Sequence, residues 1–184
     1  DFDRIERVAV PPDLQATLRE YQLDGYHWMQ FLARYGLNGI LADDMGLGKT
    51  LQTLTFIEKR GGKALVVCPS SLVSNWAAEA QKWTPSLSIA EHVGPKRGGI
   101  PKADLVITSF AILRIDAEKF HAREFDIAVL DEAQQVKNPD AQISKAVFKL
   151  NAIHRFALSG TPVENSLQDL WSIMNFALPN YLGP

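Results

Sequence analysis

Apolar residues come in short runs along this chain, and helical patterns fill the intervals between them. The runs are GILA (39–42), ALVVC (64–68), LSIAEHV (87–93), DLVIT (104–108), IAVLD (127–131) and RFALS (155–159). Each is too short for a helix and is bounded by Gly, Pro, Asp or Ser. Near-continuous apolar strands suit a parallel sheet buried on both faces. Between two of them, Ser71–Trp83 carries Leu72, Trp76, Ala80 and Trp83 on one helical face, which reads as packing surface rather than as stacking platforms for bases. Trp28 and Trp171 read the same way. Pro12, Pro69, Pro139 and Pro162 sit near element starts, where a missing N–H costs least. GPKRGGIPK (94–102) reads as the clearest flexible loop. No repeat, low-complexity tract or linker divides the chain. The pattern predicts one α/β domain, a wound and mainly parallel sheet with helices on both faces.

Two places on that frame carry candidate chemistry. GILA runs into DDMGLGKT (43–50) and then into a helical pattern, LQTLTFIEKR. Gly46 and Gly48 let the backbone approach a phosphate, and the helix N-terminus adds partial positive charge. Lys49 supplies a point charge for β/γ-phosphates, and the Thr50 hydroxyl can ligate Mg²⁺. The general phosphate-loop pattern asks for glycine where this chain has Asp43; the plain alternative is a glycine turn beside an exposed lysine. The second place is IAVLDEAQ (127–134), a strand ending in two acids. Carboxylates there are costly unless they serve a ligand. Asp131 suits Mg²⁺ and Glu132 suits an attacking water. The alternative is an acidic N-cap for the following turn.

Composition narrows the class. Of 184 residues, 46% are hydrophobic and 22% charged, enough for a soluble domain with a real core. The net charge of -2 means that a nucleic-acid footprint must be a local patch. The lone Cys68 excludes an internal disulfide and fits a reducing compartment. No apolar run approaches a membrane-spanning helix, and DFDRIERVAVPP has no secretory apolar core. The expected location is intracellular: cytoplasm, nucleoid or nucleus. The abrupt start without Met reads as a piece of a longer protein. His27, His92, His121 and His154 show no metal spacing. Lys96, Arg97 and Lys102 read as a solvated cluster, with nucleic-acid contact the lesser alternative.

Taken together, the ordered strings resemble the N-terminal RecA-like lobe of the SWI2/SNF2 family, within helicase superfamily 2. LREYQLDGYHWM (18–29) is similar to the segment ahead of the phosphate loop, and the resemblance implies that Gln22 reads adenine, with Arg19 and Tyr21 shaping the pocket. LADDMGLGKTLQT (41–53) is similar to the family's own loop, in which an acid replaces the first glycine; Asp44, Met45, Gly46, Leu47, Gly48, Lys49 and Thr50 would line the nucleotide. LVVCPSSLVSNWAAEAQKW (65–83) resembles motif Ia, and VITSF (106–110) resembles motif Ib. These imply backbone contacts to double-stranded DNA from Ser70, Ser71, Thr108 and Ser109; either of the first two serines could equally be a plain helix cap. VLDEAQQVKN (129–138) resembles motif II, with Gln134 where the family usually has histidine. ALSGTPVENSLQDLWS (157–172) resembles motif III, so Ser159, Gly160 and Thr161 would couple to Gln134 and Glu132.

The resemblance implies a three-layer P-loop NTPase fold, ATP and Mg²⁺ as cofactors, and ATP hydrolysis by Lys49, Asp131 and Glu132. It also implies a second RecA-like lobe that supplies an arginine. Motifs IV to VI do not occur in these residues, so this lobe alone should bind ATP weakly and turn it over slowly. Two other readings compete: a nucleotide-sensing scaffold without turnover, which the intact Lys49, Thr50, Asp131 and Glu132 oppose, and an RNA-directed lobe of the DEAD-box kind. Gln134 and Ser159-Gly160-Thr161 oppose the latter.

Overall fold

Every predicted strand forms, and all six join one sheet. They are β1 (Gly39–Ala42), β2 (Ala64–Cys68), β3 (Ile89–His92), β4 (Leu105–Ser109), β5 (Glu124–Leu130) and β6 (Asn151–Ser159). This computed structural model describes residues 5–42, 46–136, 138, 141–160 and 167–179. Strand order is β1-β6-β5-β2-β4-β3, and all neighbours are parallel. β2 and β4 are buried at every position, which explains their unbroken apolar runs.

Alternate residues of each strand feed two cores. Val66, Cys68, Ile107, Ile127, Val129, Phe156 and Leu158 pack under α1 (Glu20–Arg34), α2 (Lys49–Arg60) and α3 (Val73–Trp83). Leu65, Val67, Val106, Ala128, Leu130 and Ala157 face α4 (Phe110–Ile115), α5 (Ala117–His121), α6 (Gln142–Phe148) and α7 (Leu167–Ala177). Three layers result.

Two details differ from the sequence reading. β6 begins at Asn151 rather than Arg155, because Asn151, Ala152 and His154 already pair in register with Glu124, Phe125 and Ile127 of β5. The 94–102 segment is also not a free loop. Arg97 donates to Asp116, Lys119 Nζ to the Gly98 carbonyl (3.0 Å), and Arg123 to the Pro101 carbonyl. Asp116 is 9% exposed and also bonds His92 Nε2 at 2.9 Å and Lys119 Nζ at 3.2 Å. Burial works to raise its pKa, but the hydrogen bonds from His92, Arg97 and Lys119 and the Arg97 charge outweigh it and hold the carboxyl at about 2.

Because all strands are parallel, their C-terminal ends share one rim. The segments that leave it are the phosphate loop after β1, Pro69–Ser71 after β2, Asp131-Glu132 after β5 and Gly160 after β6. Ligands of open α/β sheets bind at this rim.

Candidate functional site

The phosphate loop enters α2 through Gly48, the helix N-cap, whose backbone is left-handed (φ 78°). Gly46 is left-handed too (φ 86°). A glycine cap has no side chain to occupy the first-turn N–H groups, so these remain suited to an anion. Lys49 and Thr50 open α2 and are half-buried. Asp43, Asp44 and Met45 lie outside the described residues, as does Thr161.

Gln22 sits against the same loop. It is 8% exposed; its Oε1 accepts the Arg19 N–H (2.9 Å), and its Nε2 donates to the Leu47 carbonyl (3.3 Å). Gln52, from the first turns of α2, donates to that carbonyl as well (3.4 Å). Sequence reasoning placed Gln22 near the site but missed Gln52. Gln52 is fully buried beside the equally buried Thr53 and Thr55, and nothing in the residue spacing set it apart as a partner of the loop.

On β5, the Asp131 N–H continues the ladder to the Val67 carbonyl (2.8 Å), so the backbone is fixed to β2. Its carboxylate is 8% exposed. Oδ2 accepts the Trp76 indole N–H (2.7 Å), and Oδ1 accepts the Glu132 N–H (2.9 Å). Burial raises the Asp131 pKa. The Trp76 and Glu132 hydrogen bonds oppose it, the Glu132 charge adds to it, and the Lys49 charge opposes it. The two predicted clusters leave the same rim of the sheet. Strand order agrees: only β6 separates β1 from β5, so their ends lie roughly 10 Å apart, two strand spacings.

Glu132 is the only non-glycine residue with positive φ (51°) among the described residues. Such a backbone costs an ordinary side chain about 1–2 kcal/mol, and strain of this kind clusters at functional sites. Gln134 donates to that carboxylate through Nε2, and Ser159 Oγ donates to Gln134 Oε1 at 3.0 Å. The β6 end is thereby joined to Glu132 with glutamine at the position of the family's histidine. Gly160 follows Ser159 directly.

The nucleic-acid residues divide. Ser70 and Ser71 are exposed on the rim, but neither caps α3, whose N-cap is Leu72 without a side-chain bond. Ser109 is buried, 3% exposed, and its hydroxyl is taken up in capping α4, where it accepts the Ile112 N–H (3.2 Å), so the structure does not offer it to a phosphate. Thr108 is a correction: it is fully buried, and its hydroxyl donates to the His92 carbonyl (2.8 Å), so it ties β4 to β3 and presents nothing to a phosphate. Arg97, engaged with Asp116, likewise leaves the solvated cluster. No group of histidine, cysteine and acidic side chains able to hold a metal occurs among the described residues, so the metal question rests on the phosphate loop and Asp131.

A parallel sheet with a glycine loop on one strand end and a buried carboxylate two strands away defines a RecA-like nucleotide-binding lobe. Residues 21–184 match the SNF2-related domain. The chain belongs to the SNF2-related family. It is 41% identical over 98% of its length to a putative ATP-dependent helicase/translocase, YwqA, of Bacillus subtilis, and covers 21% of that protein. It is 39% identical over its whole length to the TATA-binding protein-associated factor mot1 of Aspergillus fumigatus, covering 11% of it. The solved SWI2/SNF2 ATPase core of Sulfolobus solfataricus in complex with dsDNA superimposes with a TM-score of 0.89 at 40% identity, over 97% of this chain and 39% of that one. This chain thus spans a minor part of its relatives.

Proposed function

We propose that this chain is the ATP-binding lobe of a DNA-dependent ATPase that moves on duplex DNA and remodels protein–DNA complexes. The observation that carries the proposal is the strand order, which sets the phosphate loop after β1 and the Asp131-Glu132 pair after β5 at one rim of a parallel sheet with only β6 between them. The relatives support it: one is described as a helicase/translocase, and the Sulfolobus core was solved on dsDNA.

The triphosphate would lie along the α2 N-terminus, with Lys49 against the β/γ-phosphates. The donor set fits Mg²⁺. Both candidates, the Thr50 hydroxyl and the Asp131 carboxylate, are hard oxygens, and burial leaves Asp131 with an ionisation penalty that a cation relieves. Bound there, Mg²⁺ would neutralise charge on the phosphate oxygens. Glu132 would orient the water and take its proton, held in place by Gln134. Gln22 would reach adenine by exchanging the Leu47 carbonyl for a base nitrogen. Exposed Ser70 and Ser71 are the proposed DNA-backbone contacts. A second RecA-like lobe would close over the nucleotide and bring an arginine, and the working location is inside the cell.

The test is ATP turnover by the intact protein with and without duplex DNA. Glu132→Gln should retain nucleotide binding and lower turnover by about 10²–10⁴-fold; Lys49→Ala should lose binding. Normal turnover in Glu132→Gln would remove its assigned role, and stimulation by RNA rather than duplex DNA would reassign the substrate.

A further inference from the structure

The helical spacing of Trp76 explains its burial but not the direction of its N–H. A buried indole needs one acceptor. Among the possible acceptors, this one, 1% exposed, uses an oxygen of Asp131. At 2.7 Å the bond has the length of a charge-assisted one. The second carboxylate oxygen takes the Glu132 N–H. With one donor on each oxygen, the plane of the carboxylate is set: tilting it about the Cβ–Cγ bond strains both bonds, and only a half-turn, which exchanges two equivalent oxygens, restores them. Each oxygen still has a free lone pair. The Asp131 backbone is already fixed to Val67. Trp76 is itself carried by α3, which packs against α2, the helix that begins with Lys49.

We infer that Trp76 is a positioning residue, whose indole N–H sets the direction in which Asp131 presents its carboxylate to the metal of a bound metal–nucleotide complex. The inference rests on the proposed reading of Asp131 as the metal-facing acid. Partners that orient a metal ligand are worth about 10–100-fold in metal affinity. Packing alone makes a different prediction: any large apolar ring of similar volume would serve.

The experiment measures how much Mg²⁺ tightens binding of a fluorescent, non-hydrolysable ATP analogue to the intact protein, by anisotropy, with wild type, Asp131→Asn, Trp76→Phe and replacement of Trp76 by benzothienylalanine. The last keeps the ring size and removes only the N–H. Asp131→Asn should abolish the Mg²⁺ effect; if it does not, the reading of Asp131 fails. Both changes at Trp76 should reduce the Mg²⁺ effect about tenfold and leave metal-free binding unchanged. The benzothienyl replacement decides the matter should Trp76→Phe unfold the protein. A wild-type Mg²⁺ effect in that variant, alongside its loss in Asp131→Asn, overturns the inference about Trp76 alone.

Discussion

Gly48→Ala and Gly46→Ala make a matched pair of perturbations with different expected costs. Both glycines are left-handed, so alanine at either should cost about 1–2 kcal/mol in backbone strain. Their surroundings differ. A Cβ on Gly46 meets nothing within 4 Å among the described residues, whereas one on Gly48 comes within 2.3 Å of Gln22 Nε2. Ordinary contact begins near 3.4 Å, so the amide must retreat by about an ångström. It is the flexible end of its side chain and can move, but doing so breaks its bond to the Leu47 carbonyl and loosens the one to Arg19. Two hydrogen bonds of about 1 kcal/mol each are then at stake. Gly48→Ala should therefore destabilise by about 3–4 kcal/mol and Gly46→Ala by about half that. Urea unfolding followed by circular dichroism measures both. The cycle closes with Gln22→Ala: in that background Gly48→Ala should cost only the strain. Equal costs for the two glycines, or strict additivity of Gln22→Ala and Gly48→Ala, would refute the reasoning.

Two buried carboxylates should tilt stability in opposite directions with pH. Asp131 has a raised folded pKa, so its contribution is fully present below the ordinary carboxylate range and is lost as pH rises through the folded value. Wild type should thus lose stability relative to Asp131→Asn as pH rises, then level off; a pH-independent difference counts against burial as the cause. Asp116 is held at about 2, so it stabilises above about 3.8 and loses that contribution as pH falls toward 2. Wild type should therefore exceed Asp116→Asn in stability by a constant margin above about 3.8, and the margin should shrink as pH falls toward 2 in acid unfolding; a margin that persists unchanged down to that pH sinks the clasp as the source.

The strands and the two chemical clusters were legible because burial and chemistry agree there. Apolar runs at β2 and β4 are apolar on both sides because both faces are covered. Glycines and acids at strand ends carry their reason in the residue type. What could not be read was direction. Ser70 and Ser71 looked like caps, yet a 3-10 turn at Ser70–Leu72 moves the start of α3 past them. Thr108 looked like a surface hydroxyl, but its strand is interior and its partner lies on β3, which only the strand order reveals. Trp76 satisfied the packing pattern so well that nothing in the spacing pointed to Asp131, 55 residues on. The polar start of β6 hid because its partners, Glu124, Phe125 and Ile127, lie on β5, and only the sheet register reveals them.

An imidazole at position 134 could gain a charge; the amide of Gln134 cannot. It has a donor end toward Glu132 and an acceptor end toward Ser159, so it is polarised along the link. Were Glu132 to take up a proton, its new O–H would call for an acceptor, and a half-turn of the amide would supply one. Ser159, able both to give and to receive, would then reverse its own bond. Arrival of a single proton at the acid would in this way be registered at the end of the neighbouring strand by turning one amide and one hydroxyl, with no backbone displacement and no charge on the connecting glutamine.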